Sequence, residues 1–359
     1  MRILLATDAW EPQVNGVVRT LNRTVAEMRA MGHEVEVISP DQFKTLPMPT
    51  YPEIRLALGA YEPMQERFKA FEPEAIHIAT EGPVGLAARR LCLDWKLPFT
   101  TSYHTRFPEY LAARLPAPVA AGYAYMRWFH AASGRVMVAT PTMRDELERR
   151  GFHNLSFWTR GVDTEQFKPR AEGAPDLFAG MKRPIYLNVG RVAPEKNIEA
   201  FLALDLPGSK VVVGDGPSRE ALSAQYPDVH FLGAKFGEEL AALFAAADVF
   251  VFPSLTDTFG LVILEAMAAG TPVAAFPAPG PIDIIPGSNA GAVSENLKAA
   301  CLDCLKLDRK AVRAYAEKFS WQASAEQFVQ NLEPYPEPQK TRFWRRLRRL
   351  ARLRRRPAA

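Results

Sequence analysis

Twice along the chain, short β-branched runs alternate with longer stretches of helical periodicity, and that rhythm leaves few folds open. The first series runs through Arg2–Asp8, Glu34–Ser39, Ala75–Ala79, Phe99–Ser102 and Val136–Ala139. The second runs through Ile185–Val189, Val211–Val213, Val229–Phe231, Val249–Phe252 and Pro272–Ala275. Strands separated by helices pair in parallel and are covered on both faces, so the chain is expected to be α/β with two doubly wound sheets. Between the series, Lys168–Pro175 carries the Pro, Gly and charge content of an exposed linker and puts a domain boundary near residue 170. Helical segments follow Leu305 and end over Trp321–Leu332, and Pro334, Pro336 and Pro338 then break the pattern ahead of a basic tail.

Composition narrows the class. At 359 residues and 48% hydrophobic, the chain can bury two cores without disulfides or a structural metal. Cys301 and Cys304 have metal-like spacing, but no second pair and no histidine lies near them, so they read as helix packing. So few cysteines fit a reducing compartment. No apolar run reaches about 18 residues, and the N-terminal strand meets Asp8 almost at once, so neither a signal peptide nor a membrane span is expected. Residues 340–356 hold ten of the 44 basic side chains and no acidic one, leaving 34 basic against 40 acidic residues elsewhere. An acidic body thus carries a basic tail in which Phe343, Leu347 and Leu350 recur at helical spacing, with Trp344 and Leu353 beside them. That pattern predicts an amphipathic helix lying on an anionic membrane surface, the alternatives being a solvated charge run or a nonspecific nucleic-acid tail.

Ligands of open α/β sheets bind beyond the carboxyl ends of the strands, so the residues there are the informative ones. Phe252–Val273 reads as strand end, loop, helix, turn and strand. From Thr258 to Ile282 its only charge is Glu265, in an otherwise apolar helix where an unpaired carboxylate costs several kcal/mol. Glu265 must meet either a structural partner, such as a backbone N–H or an arginine, or ligand hydroxyls. Asp257, eight residues earlier, reads as a helix N-cap or a ligand contact, and the turn Thr258-Phe259-Gly260 opens a helix whose N–H groups suit a diphosphate. In the second domain's first loop, Arg191 and Lys196 suggest phosphate recognition. Val211–Pro217 adds a second glycine-bearing turn of little weight alone. In the first domain, Gly16 offers either a close backbone approach or a plain Asn15-Gly16 turn. His104 lies just past a strand end facing the cleft; His77 reads as strand core, and the other histidines as surface or packing positions.

Over residues 1–333 the chain resembles the retaining glycosyltransferases of family 4, two-domain enzymes of the GT-B architecture. The resemblance rests on Asp257…Glu265 in its Phe-Gly…Glu-Ala-Met-Ala-x-Gly-x-Pro-Val context, on Gly190-Arg191…Glu195-Lys196-Asn197, on Gly214-Asp215-Gly216-Pro217 and on Asn15-Gly16-Val17. It implies two Rossmann-like domains facing a cleft: an acceptor-side domain over 1–167, a linker over 168–183, a nucleotide-sugar domain over 184–318, and a crossover helix over 319–333 returning to the first domain. By the same resemblance Arg191 and Lys196 hold the donor diphosphate, with the Thr258-Phe259-Gly260 turn beside it. Glu265 takes the ribose hydroxyls, Asp257 the transferred hexose, Gly16 the phosphate side of the sugar, and His104 the sugar hydroxyls near the reacting carbon. Asp257 stands where the family more often has Glu, one methylene longer.

The implied activity is retaining hexosyl transfer from a UDP- or GDP-sugar to a membrane lipid acceptor of the diacylglycerol type, at the cytoplasmic face of the membrane. A GDP-mannose-dependent α-mannosyltransferase acting on a glycolipid or polysaccharide intermediate is the alternative. No Asp-x-Asp pair occurs, so no metal and no cofactor are expected for the chemistry. A sugar-nucleotide epimerase shares the two-sheet architecture but needs no acceptor. Nucleic-acid binding through the tail is disfavoured by the acidic body and the lack of an RNA-recognition motif.

Overall fold

The computed structural model describes residues 1–13, 15–48, 51–112 and 118–335. The tail over 340–356, expected as an interfacial helix, lies outside the described residues. The first domain runs β1 (Arg2–Ala6), α1 (Gly16–Ala30), β2 (Glu34–Ile38), β3 (Lys44–Met48), β4 (Tyr51–Leu58), α2 (Tyr61–Phe71) and β5 (Ala75–Ile78). It continues through α3 (Pro83–Trp95), β6 (Thr100–Ser102), α4 (Phe107–Ala112), α5 (Val119–His130), β7 (Arg135–Val138), α6 (Pro141–Arg149) and β8 (Leu155–Phe157). The second runs β9 (Ile185–Val189), α7 (Glu199–Leu202), β10 (Ser209–Val213), α8 (Arg219–Gln225), β11 (His230–Phe231), α9 (Gly237–Ala246) and β12 (Val249–Phe252). Then come α10 (Leu261–Ala268), β13 (Val273–Ala275), α11 (Pro281–Ile284), β14 (Gly291–Val293), α12 (Leu297–Cys304), α13 (Arg309–Ala316) and α14 (Trp321–Asn331).

The strands form two six-stranded parallel sheets, in the orders β2-β1-β5-β6-β7-β8 and β11-β10-β9-β12-β13-β14. The strands read as continuous apolar runs because both faces of each sheet are covered. Leu4 and Ala6 of β1 enter one core cluster while Ile3 and Leu5 enter another; Ile185 and Leu187 of β9 likewise part from Tyr186. A β3–β4 antiparallel hairpin and the short edge strands β8 and β14 are additional to the expected series.

Helix α1 begins where Asn15 Oδ1 accepts from the N–H groups of Val17 and Val18, both at 3.0 Å. Losing such a cap costs about 1 kcal/mol. The helix buries Leu21, Val25 and Met28, spaced four and three apart, in the cluster that also holds Trp158, Phe328 and Leu332. Phe328 and Leu332 are supplied by α14 and the residue after it, so the last helix completes the first domain's core. Phe328 packs on Trp158 and on His77, each with ring centroids 4.7 Å apart, and Ser324 Oγ donates to Thr159 O at 2.7 Å. Between the domains, Lys168–Gly173 is exposed, while Phe167 and Phe178 on either side are buried in the second domain's core. Cys301 and Cys304 are buried on α12 among packing side chains, where burial pushes both thiols up to about 12. Among the described residues no helix is long and apolar enough to cross a membrane.

Candidate active site

In each sheet the chain reverses its direction of travel once, between β1 and β5 in the first domain and between β9 and β12 in the second. Loops on either side of such a reversal diverge and leave a crevice at the carboxyl edge. The candidate residues of the second domain lie at its reversal, and Gly16 follows the β1 loop at the other.

The β9 and β12 loops are bound to each other. Asn188 Nδ2 donates to Val251 O at 3.0 Å, Asn197 Nδ2 to Pro253 O at 3.1 Å, and Thr256 Oγ1 to Glu195 O at 2.9 Å. Gly214 and Gly216 of the neighbouring loop have a structural reason. A Cβ on Gly214 would stand 1.8 Å from Gly190 O, and one on Gly216 would stand 2.4 Å from Val192 O. Only bare backbone lets the two loops pack, as Val192 N donating to Asp215 O at 2.9 Å requires.

On this frame Lys196 Nζ pairs with Asp257 Oδ1 at 2.7 Å, both side chains being largely buried. Asp257 is therefore not the cap of α10. That place belongs to Gly260, whose φ of 85° is left-handed and whose missing side chain leaves room beside Phe252 and Ile263. Phe259 is a packing residue, its ring buried in the second domain's core. Arg191 is half-buried in the same β9 loop.

Glu265 is buried on α10, and its Oε1 accepts from Nη2 of Arg19 on α1 of the first domain. Burial raises the Glu265 pKa and the guanidinium opposes the rise. Of the two partners anticipated for this carboxylate, the structure supplies an arginine. Two outer carboxylate oxygens, Glu265 Oε2 and Asp257 Oδ2, are buried without a hydrogen-bond partner among the described residues. The helix ends converge as well: a Cβ on Gly16 at the start of α1 would lie 3.8 Å from Leu261 at the start of α10.

His104 meets the second domain through its main chain, its carbonyl accepting from Thr258 Oγ1 at 2.7 Å. Its ring turns into the first domain, Nε2 standing 2.8 Å from Ser102 Oγ and Nδ1 3.5 Å from Arg160 Nη2. Burial, with Arg160, His77 and His130 nearby, holds its pKa well below the ordinary histidine range. A further latch joins the domains, with the N–H and hydroxyl of Thr142 donating to Asp283 Oδ1 at 3.0 and 2.9 Å.

Sequence reasoning passed over Arg19, Arg160 and Asp8. Asp8, just beyond β1, accepts from Val84 N at 2.7 Å, Gly85 N at 3.2 Å and Thr80 Oγ1 at 2.9 Å, holding the start of α3. Burial raises its pKa against these donors, and a Cβ on Gly82 would strike its Cγ at 2.5 Å. An acid after a strand followed by Gly-Pro at a helix start was the available signal.

Residues 14–166 match the domain described as Glycosyltransferase Family 4, and residues 183–306 match Glycosyl transferases group 1. The GDP-mannose-dependent alpha-mannosyltransferase of Mycobacterium tuberculosis is 31% identical, the match covering 81% of this chain and 83% of that protein. The alpha-monoglucosyldiacylglycerol synthase of Streptococcus pneumoniae is 27% identical, over 85% and 78% respectively. Sucrose-phosphate synthase from Thermosynechococcus elongatus superposes with a TM-score of 0.74 at 22% identity, covering 92% of this chain and 97% of that one. That likeness is one of fold, and the fold is GT-B.

Proposed function

The chain belongs to glycosyltransferase family 4, and we propose that it moves a hexose from a nucleoside diphosphate sugar to a membrane lipid acceptor of the diacylglycerol type, with retention of configuration. The observation that carries this reading is the pair of buried, unpartnered oxygens on Asp257 and Glu265 beside a lysine at the crevice of the second sheet. Buried acceptors without donors call for hydroxyl groups, and a sugar nucleotide brings hydroxyls and a diphosphate together.

In this reading Arg191 and Lys196 neutralise the diphosphate, with the backbone of Thr258, Phe259 and Gly260 at the start of α10 beside it. Glu265 receives the ribose hydroxyls, Asp257 the hexose, and Gly16 and His104 close over the sugar from the first domain. The bond from the anomeric carbon to the phosphate oxygen breaks and a bond to the acceptor oxygen forms on the same face. The acceptor's hydroxyl proton passes to the departing phosphate. Protein side chains position charge and form no covalent intermediate, and no metal is required. The basic tail over 340–356 docks the enzyme on the anionic inner leaflet, where the lipid acceptor lies.

The S. pneumoniae relative, by its name a glucosyldiacylglycerol synthase, favours the lipid acceptor. The M. tuberculosis relative, more similar at 31% identity, favours a second reading as a GDP-mannose-dependent mannosyltransferase. Incubating the purified protein with radiolabelled sugar nucleotides and total membrane lipids, then identifying extracted products, separates them. Labelled diacylglycerol glycoside is the expected result. Mannose incorporated from GDP-mannose into another glycolipid selects the second reading, and a changed donor without any acceptor product overturns both in favour of an epimerase.

A further inference from the structure

A run of buried polar side chains leads from the cleft into the first domain's core. Arg160, buried and stacked with its Cζ 4.1 Å from the Trp158 ring, donates to Trp158 O and Thr159 O and stands 3.5 Å from His104 Nδ1. His104 Nε2 lies 2.8 Å from Ser102 Oγ, Ser102 Oγ lies 3.1 Å from His77 Nε2, and His77 Nδ1 lies 2.9 Å from Thr100 Oγ1.

Donor and acceptor chemistry fixes the sense of the first links. A guanidinium has N–H donors and no acceptor, so the nitrogen facing it, His104 Nδ1, presents its lone pair. In a neutral imidazole the other nitrogen then carries the proton, and Ser102 Oγ receives it. Ser102 and Thr100 have carbonyls for their own hydroxyl protons, Ala79 O and Ile76 O, each at 3.4 Å. Whichever way the proton on His77 sits, the state of His104 is the same. The neutral form fits the surroundings: burial and the cation of Arg160 hold His77 down to about 3 and His104 well below its ordinary range.

We infer that Arg160 and Ser102 are positioning residues that lock His104 as the neutral Nε2–H tautomer, so that what its ring offers a ligand is an acceptor at Nδ1. The contact to Arg160 is at the outer limit of hydrogen-bond length, which leaves that lone pair the less committed of the two ring positions. A group meeting it has to donate, so His104 reads a sugar hydroxyl and not a phosphate oxygen. This inference rests on the reading that His104 meets the sugar of the donor.

Histidine-selective ¹⁵N NMR on the full chain, with six histidines, reads the tautomer directly. The His104 signals are assigned by their loss in His104→Ala. The expected spectrum at pH 7 shows His104 with a protonated Nε2 and an unprotonated Nδ1; a proton on Nδ1, or on both nitrogens, overturns the inference. Ser102→Ala removes the acceptor of the Nε2 proton. With Arg160 still facing Nδ1 the proton should stay on Nε2, but the ring loses its anchor, so kcat should fall about tenfold while binding of UDP or GDP alone stays within twofold. Wild-type kcat in Ser102→Ala, with His104→Ala impaired, overturns the positioning role even where the tautomer is right. Wild-type turnover in His104→Ala overturns instead the underlying reading that His104 meets the sugar. Should Ser102→Ala not fold, the wild-type tautomer decides.

Discussion

Arg19 on α1 and Glu265 on α10 form an ion pair that crosses from one domain to the other, with Glu265 buried and Arg19 partly open to solvent. Hydroxyls that approach Glu265 in the proposed donor site compete with this pair. Arg19→Ala should therefore tighten UDP or GDP binding severalfold in calorimetry, while lowering the stability of the ligand-free protein. Breaking a fully buried pair costs roughly 3 to 5 kcal/mol, and the exposure of Arg19 discounts that to about 1 to 2 kcal/mol. Nucleotide binding that weakens in Arg19→Ala would make Arg19 part of the donor site instead.

Arg191 and Lys196 are proposed to face the donor diphosphate, each contact being worth about 1.5 to 3 kcal/mol. Either alanine variant should lose at least tenfold in donor binding and turnover. Lys196→Ala also leaves Asp257 without its 2.7 Å partner, so this variant should show a lower melting temperature as well. Wild-type kinetics in both variants would remove the two cations from the site.

With two cations proposed to neutralise the diphosphate, turnover should persist in excess EDTA. The control adds Mg²⁺ back to vesicles alone, to separate effects on the lipid. Loss of activity that is rescued only by a divalent ion at the enzyme would contradict the metal-free reading.

The fold should weaken in acid through His77, which burial holds down to about 3 against an ordinary 6.5. Above pH 6.5 neither state binds the proton. Below it the unfolded chain takes up a proton that the fold refuses, so stability falls by about 1.4 kcal/mol per pH unit until the folded value is reached. Urea unfolding at pH 7 and pH 5 should show about 2 kcal/mol from this one ring. His77→Gln should be less stable at both values yet show a shallower fall; parallel slopes would assign the acid sensitivity elsewhere.

Truncation after Gln339 should abolish sedimentation with anionic vesicles at physiological salt and leave donor binding intact. Basic residues near such a surface contribute at most about 1 kcal/mol each before screening. Undiminished pelleting would move the docking surface to the stretch Tyr123–Phe129 of α5, where Tyr123 and Phe129 are buried and Arg127 and Trp128 are exposed.

The two sheets were legible because a strand covered on both faces reads as a short apolar run, and the expected series falls within a residue or two of ten observed strands. The β3–β4 hairpin was not, since Pro47 and Pro52 interrupt what would otherwise alternate, and β8 and β14 are half-buried edge strands in which Ser156 and Gly291 break the apolar run. At the site, strand-end position exposed Arg191, Lys196, Asp257 and His104 to sequence reasoning. Their long-range partners stayed hidden, because Arg19 lies 246 positions from Glu265, and Arg160 lies 56 positions from His104. Only tertiary folding brings such residues together. The ring of Phe259 shows the converse: it sits in a ligand-like segment and packs inward.

The return of α14 imposes an order on biosynthesis. The apolar face of α1, with Leu21, Val25 and Met28, shares its cluster with Phe328 and Leu332, which are made only after the entire second domain. A ribosome that has released the first domain has therefore released one with an open seam along α1 and Trp158. Until Phe328 arrives, that seam has to be shielded by transient collapse or by a chaperone, and a chain cut short before α14 would present it permanently.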